Sequence, residues 1–137
     1  MVHPSRSEGF GLGIVEAMAR GIPVVLPAYG PPTEFVDPAT GFFFAANATA
    51  CTKAPCAADA RSVFTNDWRT SSPLMWGDFE PAVLARTMRG VFGDPAAAAA
   101  RGAAARRSVC THLTWDRAYS SLQKRLAVLT HYTSTSR

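Results

Sequence analysis

Cysteine is scarce in this 137-residue chain. Cys51, Cys56 and Cys110 make an odd count, too few for a disulfide-stapled scaffold. Cys51 and Cys56 have four residues between them, and no second pair with zinc-ligand spacing follows, so all three read as free thiols and no metal is expected. Charge is sparse at 18%, while apolar residues reach 47%. That balance excludes a disordered chain, which needs low hydrophobicity and high net charge. No run of about 18 or more uncharged apolar residues exists, which excludes a membrane-spanning helix. Met1–Glu8 lacks the apolar stretch of a signal peptide, so the compartment stays open, with the cytoplasm as the default. Asn47-Ala48-Thr49 is a formal glycosylation sequon that matters only in a secretory lumen. There is no internal repeat.

The net charge of +4 is uneven: residues 1–68 carry −2 and residues 69–137 carry +6. A basic half invites a nucleic-acid reading. Its arginines, however, are mixed with Ala, Leu and Val at helical spacing, so solvated helix faces are expected and nucleic acid is not an expected partner.

Signals for local structure are dense at the start. Gly9-Phe10-Gly11-Leu12-Gly13 is a glycine-rich bend, and Ile14–Arg20 is helix-competent. Leu12, Val15 and Ala19 follow i, i+3, i+7, so they share one face. Gly21 stands where a helix stops. Ile22–Pro27 reads as a strand buried on both faces, with Pro23 at its start. After a Tyr29–Pro32 turn, Thr33–Val36 is at most one helical turn. Asp37–Gly41 turns again, and Phe42–Phe44 is a very short buried strand. The rhythm predicts an α/β domain with a few parallel strands.

Residues 45–77 show no clear period and read as a loop-like insertion, with Trp68 and Trp76 as anchors and a possible strand at Arg61–Thr65. Three helices follow. The first has Asp78 as N-cap and a stripe of Val83, Leu84, Met88, Val91 and Phe92. Gly93-Asp94-Pro95 breaks it. Residues 96–109 form an Ala-rich helix of high propensity and weak packing. Thr114-Trp115-Asp116 opens the last helix, with Ala118, Leu122, Leu126 and Leu129 on one side, and residues 131–137 are expected to fray.

One segment carries chemistry. Glu8 and Glu16 stand eight positions apart and flank the glycine-rich bend and a helix start. Glycines let a ligand approach peptide N–H groups. The first N–H groups of a helix lack internal partners and carry partial positive charge. Together they suit a diphosphate. Glu16 lies about 7–8 Å along the helix at 1.5 Å per residue. That is the reach from a diphosphate to a ribose, whose vicinal hydroxyls a carboxylate can accept. The segment is neither the dinucleotide fingerprint nor a P-loop. On spacing alone a nucleotide site and a structural turn both remain open.

Pro4-Ser5-Arg6-Ser7-Glu8-Gly9-Phe10-Gly11-Leu12 and Glu16-Ala17-Met18-Ala19-Arg20-Gly21-Ile22-Pro23-Val24-Val25 resemble the C-terminal donor-binding domain of group 1 (GT4-type) glycosyltransferases. Gly30-Pro31-Pro32-Thr33-Glu34 and Gly41-Phe42 continue the pattern. It resumes more weakly at Gly77–Ala85 and at Trp115, while the 45–77 insertion departs from it. The resemblance implies a partial Rossmann-like domain, residues 1–130, forming part of the C-terminal half of a GT-B fold. It implies a retaining transfer of sugar from a UDP- or GDP-linked donor to an acceptor, with no cofactor or metal. By position, Glu8 is the catalytic carboxylate near the donor sugar. Gly9, Phe10, Gly11 and Leu12 cradle the donor, and Glu16 holds the ribose. Thr33 and Glu34 are weaker candidates, as fit for a structural role in their turn.

The matched pattern occupies the later part of such a domain. The acceptor-binding domain and the strands that bring basic residues to the diphosphate are outside it, and Arg6 and Arg20 are not assigned to replace them. The expectation is a fragment inactive in transfer alone, with uncovered edges. The alternative is a non-catalytic nucleotide-binding or docking module derived from such a domain.

Overall fold

The computed structural model describes residues 1–50 and 75–135. The expected strand at Arg61–Thr65, the anchor Trp68 and the thiols Cys51 and Cys56 lie outside the described residues.

Helix α1 spans Leu12–Ala19 and is followed by strand β1, Val25–Pro27. A 3-10 turn at Pro31–Glu34 leads to β2, Phe42–Phe44. β1 and β2 pair in parallel, with Val25 opposite Phe42 and Pro27 opposite Phe44. On the other flank of β1, Val2 forms a parallel bridge to Val25. There the Val25 N–H donates to the Met1 carbonyl at 2.9 Å and the His3 N–H donates to the Val25 carbonyl at 2.8 Å. β1 is therefore a central strand, and its run Val24–Pro27 is buried, as an apolar β-branched run requires. Ile22, included in the expected strand, is 40% exposed and lies before it.

The inner face of α1 is Ile14, Ala17 and Met18, not Leu12, Val15 and Ala19. Leu12 is exposed, and Val15 and Ala19 flank the core. The reason is Glu16, the one charged residue of the helix. At 3.6 residues per turn, Ile14 and Met18 each lie about 160° round the helix from it. Burying Leu12 and Val15 would draw the carboxylate toward the core. The helix closes with the double bond expected of a glycine stop. The Gly21 N–H donates to Met18 O at 2.8 Å and the Ile22 N–H to Ala17 O at 3.0 Å, with Gly21 at φ 74.

Strands β3, Asn47–Ala50, and β4, Met75–Asp78, form an antiparallel ribbon with Asn47 opposite Asp78. The two ends of the supposed loop are thus ordered strands. Asn-Ala-Thr-Ala holds no large apolar residue and Met-Trp-Gly-Asp does not alternate apolar with polar, so the pattern gave no sign of the pairing.

Helix α2 spans Pro81–Gly93, α3 Pro95–His112 and α4 Trp115–Thr135. The N-cap of α2 is Glu80, with Pro81 in the first turn; Asp78 belongs to β4 instead. No residue of α2 is buried, and Phe92 of its expected stripe is 89% exposed. Asp94 breaks the helices as expected and caps α3, accepting from the Ala97 N–H at 2.9 Å. The weak packing expected of α3 does not hold. Gly102, Ala105 and Val109 are buried against α1 and complete the core of Ile14, Met18, Val24, Leu26 and Val36. Small side chains let the two helices approach closely. Nor are all its arginines merely solvated: the Arg101 guanidinium donates to Gly41 O at 3.0 Å and stacks 4.0 Å from the Phe42 ring centre. α4 continues through the segment expected to fray, to Thr135. Its apolar positions are exposed, from Trp115 at 91% to Leu129 at 47%. Among the described residues no helix is long and apolar enough to cross a membrane.

Candidate functional site

The chain leaves the sheet at His3 and reaches α1 through the loop Pro4–Gly11. Ser5 Oγ donates to Ser7 O at 2.7 Å within it. His3 and Glu8 meet across the loop, Nε2 to Oε1 at 2.7 Å, with both side chains about three-quarters covered. This contact, helped by Ser5, holds the Glu8 carboxyl below the usual glutamate range against a smaller opposing effect of burial. Glu8 is thereby an anion fixed in place.

Gly11 is the N-cap of α1, buried, at φ 92 and ψ 50. Only glycine adopts that left-handed conformation freely. A Cβ there would also press on Ile14 Cδ1 at 3.0 Å and Pro32 Cγ at 3.4 Å. Gly11 O accepts from the Ile14 and Val15 N–H groups, at 2.9 and 3.3 Å. No side chain caps the helix, so the Leu12 and Gly13 N–H groups have no partner among the described residues. Gly9 lies in open space. Phe10, 45% exposed, rests its ring 5.1 Å from that of Phe35. Glu16 is exposed on the outward face of α1.

The six expected site residues therefore form a continuous loop and helix start. Glu8, Gly9, Phe10, Leu12 and Glu16 are open to solvent to differing degrees, and Gly11 turns the chain beneath them. Glu8 shares a narrow crevice of about 10 Å³ with His3, Ser5, Arg6 and Tyr29. A wider groove of about 640 Å³ runs between Phe10, Leu12 and Val15 on one side and Leu113, Trp115 and Ala118 on the other. Thr33 serves its turn, donating to Gly30 O through Oγ1 at 2.8 Å. Glu34 is exposed. Among the described residues no three of His, Cys, Asp and Glu are grouped to hold a metal. Cys110 is an exposed free thiol on α3.

Two residues beside the site escaped the sequence. His3 carries no motif of its own, and its fifth-neighbour spacing from Glu8 becomes a contact only when the loop bends back. Arg6 stacks over the Trp76 ring at 4.8 Å and the Phe79 ring at 5.8 Å. It also pairs with Asp78 Oδ1 at 3.1 Å, and its carbonyl accepts from the Gly77 N–H at 2.7 Å. An exposed ion pair alone is worth about 0–1 kcal/mol, so the stack and the backbone bond carry much of this grip. Seventy residues separate the partners, and no short-range signal joins them.

Residues 1–54 match the model of a family described as glycosyl transferases group 1. The strong parts of the resemblance, Pro4–Val25 and Gly30–Phe42, fall within that stretch; the weaker ones at Gly77–Ala85 and Trp115 fall beyond it. No curated protein and no solved structure matches the chain.

Proposed function

We propose, from a first 54 residues that carry group 1 glycosyltransferase sequence, that this chain is the donor-binding part of a retaining, GT4-type sugar transferase. Its donor is a nucleoside diphosphate sugar, and its acceptor is held by a partner half outside this chain. The observation that carries the reading is the open turn between two carboxylates. An uncapped helix start leaves N–H donors without a partner among the described residues, where a pyrophosphate is favoured by both hydrogen bonds and dipole. Glu16, fifth in α1, reaches back to the ribose hydroxyls and accepts from them. Glu8, kept ionised by His3, faces the sugar. When the bond from the anomeric carbon to the diphosphate breaks, negative charge grows on the leaving oxygen. Fixed N–H donors stabilise that charge without reorganising. This chemistry uses backbone dipoles where a metal-dependent enzyme uses a cation.

Titration calorimetry of the full chain with UDP and with GDP tests the reading. One of the two nucleotides binds, and Glu16→Ala weakens it about tenfold or more, the loss of charge-assisted bonds of about 1.5–3 kcal/mol. Sugar transfer is absent from the chain alone. Failure of both nucleotides to bind overturns the reading. Binding that persists in Glu16→Ala removes the ribose role.

A further inference from the structure

The ribbon of β3 and β4 stands where the chain departs from the pattern of the resemblance, and it touches the candidate site at two points. Gly77, buried in β4, faces Tyr29 so closely that a Cβ there would lie 2.6 Å from the ring. Its N–H donates to the Arg6 carbonyl at 2.7 Å. The Arg6 side chain is held by the residues on either side of Gly77: the guanidinium stacks on Trp76 and pairs with Asp78 at 3.1 Å. Phe79, also beneath Arg6, packs edge-on to Phe44 of β2 at 4.8 Å, which ties the ribbon to the parallel sheet. Arg6 and Tyr29 line the same crevice as Glu8 and His3.

The contacts form a closed chain of restraint. The sheet fixes His3 through its N–H bond to Val25 O. The ribbon fixes Arg6, two residues before Glu8. Ser5 and Ser7 link the loop within itself. With both ends of the span from His3 to Arg6 tied to rigid elements, the return of Glu8 onto His3 is left little freedom. We propose that Arg6 is a positioning residue, through which the ribbon braces the Pro4–Glu8 loop and sets the His3–Glu8 contact. The functional weight of that contact rests on the donor-binding reading above; the brace itself does not. Arg6 is thus spoken for by the ribbon and is not a free cation for the diphosphate.

Carbon-detected NMR titration of the Glu8 side-chain carboxyl in the full chain tests this, with the amide spectrum as a check of folding. Wild type is compared with Arg6→Ala, Arg6→Lys and Trp76→Leu. A brace predicts that the Glu8 midpoint rises toward the ordinary glutamate value in Arg6→Ala and also in Trp76→Leu, with Arg6→Lys in between. A purely electrostatic effect of the guanidinium predicts a rise in Arg6→Ala alone, because Trp76→Leu leaves the charge in place and Arg6→Lys restores it. That pattern overturns the proposal, as does an unchanged midpoint in folded Trp76→Leu. Where Arg6→Ala fails to fold, the other two variants decide. Because the readout needs no nucleotide, a chain that binds neither UDP nor GDP can still show the brace, and the two failures stay distinct.

Discussion

Gly102 of α3 lies directly on the Gly21 carbonyl, so that a Cβ on residue 102 would overlap the Gly21 oxygen. The obstacle is backbone, which cannot rotate away as a side-chain tip can. Gly102→Ala must therefore push α3 off α1, lifting Ala105 and Val109 from the core. Overpacking costs about 1–3 kcal/mol, and the helix preference of Ala over Gly recovers up to about 1 kcal/mol. The net expectation is a lower urea midpoint. Gly90→Ala is the control: it is helical, exposed and has nothing within 4 Å. It should raise the midpoint, through a stabilisation of about 0.5–1 kcal/mol. Equal effects of the two would remove close helix approach as the explanation.

That contact also marks where sequence reading stopped. The Gly21 stop, the Asp94 break and the short strand Phe42–Phe44 were legible because each depends on a local rule. The side of α1 that is buried does not follow from spacing, since apolar residues surround the helix and only Glu16 marks the outside. An Ala-rich helix looks unpartnered in sequence because its packing surface is backbone, and its partner Gly21 is eighty-one residues away. The ribbon was invisible for a similar reason: its strands are only four residues each, without a shared apolar alternation, and pair across a long excursion. Of the candidate site, the glycine turn and the helix start beside it were legible. His3 and Arg6 were not, because their roles arise from the folded loop.

Arg101 gives a second measurable case. Its guanidinium donates to Gly41 O and sits over the Phe42 ring, joining α3 to the start of β2. A stacked cation is worth about 0.5–2 kcal/mol and a charged hydrogen bond about 1.5–3 kcal/mol. Arg101→Ala should destabilise by about 2 kcal/mol in urea unfolding. Arg101→Lys should recover only part, since a compact ammonium cannot sit over the ring while reaching the carbonyl. A solvated arginine would show neither loss.

Acid should weaken the fold through two carboxylates. Asp37 is held below the aspartate range first by the Thr40 hydroxyl, then by the Ala39 and Thr40 N–H groups. Glu8 is lowered first by His3. The unfolded chain binds these protons at a higher pH than the folded one, so stability rises with pH across that window. The contribution is complete above the ordinary carboxylate range and drains away as pH falls through the lowered folded values. Thr40→Val removes the largest cause acting on Asp37. Its Tm should fall at pH 7, yet drop less than that of wild type between pH 7 and about 3.5. Parallel acid limbs would show that Thr40 does not set the Asp37 titration.

The two glycines before α1 should separate folding from ligand access. Gly11 is buried at φ 92, where an alanine costs about 1–2 kcal/mol from its backbone conformation, and its Cβ would crowd Ile14. Gly11→Ala should lower Tm by several degrees. Gly9 has neither a positive φ nor any atom within 4 Å of a Cβ. Gly9→Ala should leave stability within about 0.5 kcal/mol. On the donor-binding proposal, a nucleotide phosphate approaches the peptide through the open space above Gly9, and an added methyl group would block that approach. Gly9→Ala should therefore weaken UDP or GDP binding in calorimetry at unchanged Tm, whereas Gly11→Ala weakens both together. A Gly9→Ala chain that binds nucleotide as tightly as wild type would take Gly9 out of the cradle and shift the diphosphate toward the Leu12 and Gly13 N–H groups.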